Sequence, residues 1–167
     1  FNIDMLGCIN SVNPMFRAAI SDKDIDNFEH AKQHFSDCYL MTTLETLSHT
    51  PNGRKVLKEQ IQYDDNNPKL LNCYLYKENG EKEKYTVPTN AVVKGYEKLY
   101  RLQPNEIIRS MDVSVAEYEN KYKSKPWICR VTDTFKSYSF ENNLPSHFMK
   151  VFTGIEPRII AETDFNL

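Results

Sequence analysis

Leu71, Cys73 and Leu75 alternate with Asn72, Tyr74 and Tyr76, and Glu78-Asn79-Gly80 follows almost at once. A period of two puts the apolar side chains on one face of a strand, and Asn-Gly favours a tight reversal. Lys84-Tyr85-Thr86-Val87 then returns before Pro88, so the segment predicts a β-hairpin. The segments around it have helical spacing instead. Leu40, Met41, Leu44 and Leu47 form an apolar stripe over 37–49, with Ser36 placed to cap it and Asp37 in its first turn. Thr50 is placed to cap a second helix with Pro51 at its first position, running to about Ile61 with Val56, Leu57 and Ile61 inward. Over 105–122, Ile108, Met111, Val115, Tyr118 and Tyr122 recur at steps of three or four, a packing stripe. Thr89 is expected to open a helix through about Tyr100, and Pro145 to Phe152 a last one stopped by Gly154. The expected class is α+β, mostly helical, with a small hairpin.

A chain of 167 residues, 40% hydrophobic, is long enough for one domain with a sizeable core. Residues 1–32 are expected to wrap that core, 33–154 to form the helical lobe, and 155–167 to be a tail or the start of a second lobe. Lys+Arg is 21 against Asp+Glu 23, and the tyrosines lack interleaved basic residues, so no nucleic-acid surface is expected. No apolar run approaches the roughly 18 residues of a membrane span. The usual glycine-rich nucleotide loops are absent. Asp64-Asp65-Asn66-Asn67 lacks the ligand pattern of a calcium loop and reads as a polar turn. No metal and no cofactor are expected. The chain opens at Phe1 without a basic and apolar leader, which predicts a cytoplasmic protein or an effector exported without a classical signal peptide.

Cys8, Cys38, Cys73 and Cys129 are widely spaced, with no zinc-type cluster. Three of them read as buried thiols. Cys38 differs, because it falls in the first turn of the 37–49 helix. Free N–H groups and the positive end of the helix dipole there favour a thiolate, and the same N–H groups can hold an oxyanion. That arrangement suits a nucleophile.

Ser36-Asp37-Cys38-Tyr39-Leu40-Met41 resembles the calpain-type cysteine peptidase signature Gly-Asp-Cys-Trp/Tyr-Leu-Leu. Leu47-Ser48-His49-Thr50-Pro51-Asn52-Gly53-Arg54 is similar to the turn into the second helix of bacterial calpain-like peptidases. Met111-Asp112, Glu119 to Tyr122 and Phe148 to Gly154 add looser matches, so the resemblance covers about 33–154. It implies a papain-like fold whose nucleophile opens the central helix of a helical lobe. The base His and an Asn would come from a second, β-rich lobe, and a Gln before the Cys would complete the oxyanion hole. It also implies a protein or peptide as substrate.

Three departures accompany the match. The family Gln lies six residues before the Cys, where this chain has Lys32, with Gln33 one residue late. Ser36 replaces Gly. The family His lies after the Thr-Gly segment, and residues 155–167 contain none, so the β-rich lobe is expected to be missing. His147, oriented by Asp164, is the candidate base within the chain, whereas His30, His34 and His49 read as structural or solvated. The expected catalytic set is Cys38, Gln33 and His147. The expected activity is a thiol endopeptidase. A non-catalytic binding module of an effector or toxin, and a Cys-His acyl transferase or deamidase, are the alternatives.

Overall fold

The computed structural model describes residues 19–30, 38–93, 105–122 and 145–158. Ser21 opens α1 (Asp22–Asp26) with a reciprocal capping box: its hydroxyl accepts from the Asp24 N–H, and the Asp24 carboxylate accepts from the Ser21 N–H. A 3₁₀ turn, Asn27–His30, continues it. Ile20, Ile25 and Phe28 of this part of the chain are buried in the core.

α2 (Cys38–Ser48) and α3 (Pro51–Gln60) are joined by a sharp turn. Thr50 is the N-cap of α3, accepting from the Gly53 N–H at 3.0 Å, and Pro51 sits inside its first turn. A Cβ on Gly53 would lie 2.1 Å from the Leu47 carbonyl oxygen, so the two helices meet backbone to backbone there. Arg54 fastens the turn to α1, reaching Asp26 at 2.6 Å, Asp22 at 3.2 Å and the Ser48 carbonyl at 3.0 Å.

The sheet has three antiparallel strands in the order β1 (Ile61–Tyr63), β2 (Leu70–Tyr76), β3 (Lys82–Pro88). Cys73 pairs with Ile61 on one side and Tyr85 on the other. A single bridge from Ala19 to Gln62 extends the β1 edge. Ile61, expected as the last inward residue of α3, instead begins β1: its φ of −126° and ψ of 115° are extended, and its N–H closes the helix on Leu57. The hairpin turns through the three residues expected for it, Glu78, Asn79 and Gly80. Gly80 donates to the Lys77 carbonyl and adopts φ +84°, a type I turn followed by a left-handed residue.

α4 (Glu106–Tyr122) and α5 (Pro145–Thr153) pack on this sheet, and α5 also packs on α2. Ile108, Met111, Val115 and Tyr118 carry the expected stripe into the core, but Tyr122 is 43% exposed. Residues 89–93 form a turn and irregular chain rather than the start of a helix, and the rest of that expected helix lies outside the described residues. So does the Trp127–Val131 segment. One buried cluster runs through all the helices and the sheet, from Ile20 to Phe152. The architecture is α+β and mostly helical. No described helix is long and apolar enough to cross a membrane.

Candidate functional site

Cys38 is the first residue of α2 and is exposed. The two residues after it, Tyr39 and Leu40, are completely buried. Tyr39 meets Phe148 of α5 edge to face at 5.7 Å, and Phe148 stacks on Phe152 at 5.6 Å. The thiol therefore stands at the surface on a helix end fixed by aromatic packing. Cys73 is its opposite: it lies inside the sheet, and burial pushes its thiol well above the usual range. Gln33, the expected oxyanion donor, lies outside the described residues, as do Cys8, Cys129, His34 and Asp164. His49 lies at the α2–α3 turn, 3.4 Å from Glu29, with both side chains about half exposed.

His147 is on the first turn of α5, next to Phe148. Its Nε2 lies 3.0 Å from Oε1 of Glu119 on α4. Which group donates in this hydrogen bond depends on the tautomer of the ring. Glu119 is 2% exposed and His147 45%, so the imidazole covers a buried carboxylate. Asp164, expected to orient His147, lies outside the described residues; among the described residues it is Glu119 that hydrogen-bonds the ring. No sequence pattern ties Glu119 to His147. In the sequence Glu119 stands out only as the first residue of the looser 119–122 match.

The pair lines a cavity of about 680 Å³. Its walls come from the hairpin turn, from Tyr118 and Tyr122 at the end of α4, and from α5 through Gly154. Cys38 does not line it. The Tyr118 hydroxyl donates to the Tyr76 carbonyl at 2.8 Å, and burial pushes its phenol up to about 12. Gly154 has φ +74°, and a Cβ there would lie 2.9 Å from the Tyr76 ring, so glycine lets α5 end against that ring. Among the described residues no group of His, Cys, Asp and Glu has the arrangement of a metal site.

Comparison with protein-family models, with curated proteins and with solved structures gives no match.

Proposed function

We propose that this chain is the nucleophile-bearing lobe of a papain-like, calpain-type thiol peptidase acting on protein substrates. The observation that carries the reading is the exposed Cys38 at the head of a helix anchored by the buried Tyr39 and Leu40. Sγ attacks the scissile carbonyl carbon, forming a C–S bond, and the oxyanion is held by the Cys38 N–H with Gln33. The C–N bond then breaks, the base delivers its proton to the departing amine, and water hydrolyses the thioester to restore the thiol. The family pattern puts the base on a β-rich lobe after Thr153-Gly154, with His147 as the alternative within the chain. The resemblance of 36–54 supports the reading, and the α2–turn–α3 unit gives its Thr-Pro-x-Gly-Arg residues definite structural work.

The test is hydrolysis of an unfolded protein substrate together with labelling by a peptidyl fluoromethyl ketone. Hydrolysis and labelling should both vanish in Cys38→Ala. If His147→Ala also abolishes hydrolysis, His147 is the base; if activity persists, the base lies elsewhere. Absence of hydrolysis, with Cys38 alkylated no faster than a thiol in the denatured chain, rejects the peptidase reading. The second reading is a non-catalytic binding module, favoured by the engagement of His147 with the buried Glu119.

A further inference from the structure

Glycine follows asparagine at two steps of the chain, Asn52-Gly53 and Asn79-Gly80. Such a step has its own chemistry. The backbone nitrogen of the second residue can attack the side-chain carbonyl carbon of the asparagine, and glycine, lacking a Cβ, hinders that approach least. One reaction is therefore available at two places, and the fold treats them differently.

Asn52-Gly53 lies in the first turn of α3. The Gly53 N–H donates to Thr50 Oγ1 at 3.0 Å, and Gly53 is buried against the Leu47 backbone. Its nitrogen cannot turn toward the Asn52 side chain unless the α2–α3 junction opens. Asn79-Gly80 lies at the hairpin tip, where Glu78 to Glu81 are all exposed. A Cβ on Gly80 would meet nothing within 4 Å beyond its chain neighbours. The Gly80 N–H donates to the Lys77 carbonyl at 3.0 Å, at a tip that opens more readily than a packed helix turn. The Glu81 N–H donates to Asn79 Oδ1 at 3.1 Å, so a donor already stands on the oxygen that takes up negative charge when the amide carbon is attacked. Asn79 Nδ2, the leaving nitrogen, donates to the Glu81 carboxylate at 3.0 Å.

We infer that Asn79-Gly80 is a site of spontaneous deamidation and that the α2–α3 packing protects Asn52-Gly53. The Gly80 nitrogen bonds to Asn79 Cγ, the Cγ–Nδ2 bond breaks, and the proton lost from the Gly80 nitrogen passes through water to the departing ammonia. Water then opens the cyclic imide at either carbonyl, leaving an aspartate or an isoaspartate at position 79. A carboxylate there only accepts, so the bond to Glu81 is lost and two carboxylates meet beside Lys77. The tip that walls the cavity gains a negative charge. This inference does not rest on the peptidase reading.

The test is peptide mapping by mass spectrometry after incubation of the full chain in mildly alkaline buffer, with and without guanidinium chloride. Each rate in the folded chain is divided by the rate of the same step in denaturant, which removes the influence of neighbouring residues. That ratio should be at least about tenfold higher for Asn79 than for Asn52, because Asn52 waits on an opening of packed helices and Asn79 only on an opening of the tip. Native ion exchange should show an acidic species growing with time and largely lost in Asn79→Gln, whose longer side chain closes a larger, slower ring. Equal ratios at the two steps, an Asn79 that converts in denaturant but stays intact in the folded chain, or an Asn79 that stays intact under both conditions would overturn the proposal.

Discussion

At the scale of single residues, Gly53 shows how one position can decide a turn. Glycine inside a helix costs about 1 kcal/mol relative to alanine. The propensity scale alone therefore predicts that Gly53→Ala stabilises α3. The Leu47 backbone, 2.1 Å from where the Cβ would stand, reverses that sign, because a carbonyl cannot rotate away as a side chain would. Gly53→Ala should destabilise by about 1–3 kcal/mol, the range of overpacked sites, read from urea midpoints at constant slope. The two described cysteines make a second contrast. Iodoacetamide should modify Cys38 in the native protein and leave Cys73 untouched until the sheet unfolds, with mass spectrometry assigning each site.

At the scale of elements, Gln60 ties α3 to both β2 and α5. It is buried at the end of α3, and its side-chain amide donates to the Tyr74 carbonyl on β2 at 3.0 Å and to the Phe152 carbonyl on α5 at 2.9 Å. Gln60→Ala removes two hydrogen bonds of about 1 kcal/mol each and leaves a void, so a loss of about 2–4 kcal/mol is expected in chemical denaturation. Arg54 does related work at the surface. Asp22 is held below the usual carboxylate range by hydrogen bonds from Lys58 and then Arg54, and Arg54→Ala should speed amide exchange of Ile25. The elements best read from sequence are those with local signals. The Thr50-Pro51 cap, the alternation from Leu71 to Leu75, the 105–122 stripe and the Gly154 stop each name their element within a few residues. β1 was not legible, because three residues carry no period and its Ile61 continues the apolar spacing of α3. The position of Cys38 on a helix start was legible for the same local reason. The His147–Glu119 pair was not, because it joins residues 28 apart on two helices and only the packing of α5 brings them together.

For the whole molecule, the phenols report how far the core reaches. Tyr63, Tyr85 and Tyr118 are each pushed up chiefly by burial, and Tyr118 reaches about 12 against an ordinary value of 10.0. Raised in the folded state, these groups favour folding fully below pH 10, and the Tyr118 contribution is lost as pH rises through about 12. Near-ultraviolet titration should therefore show a late phenolate fraction, and stability should fall across the same window; phenols that all ionise near pH 10 in the folded protein would contradict it. The packing of α5 has a consequence for how the protein is made. Phe148 packs against Tyr39 with Phe152 stacked behind it, and the Phe152 carbonyl accepts from Gln60, across 92 residues of sequence. A chain emerging from the ribosome carries Tyr39 and Gln60 long before those partners exist. Until α5 follows, α2 and the sheet present an unclosed apolar surface, so synthesis itself contains an interval in which a chaperone has something to hold.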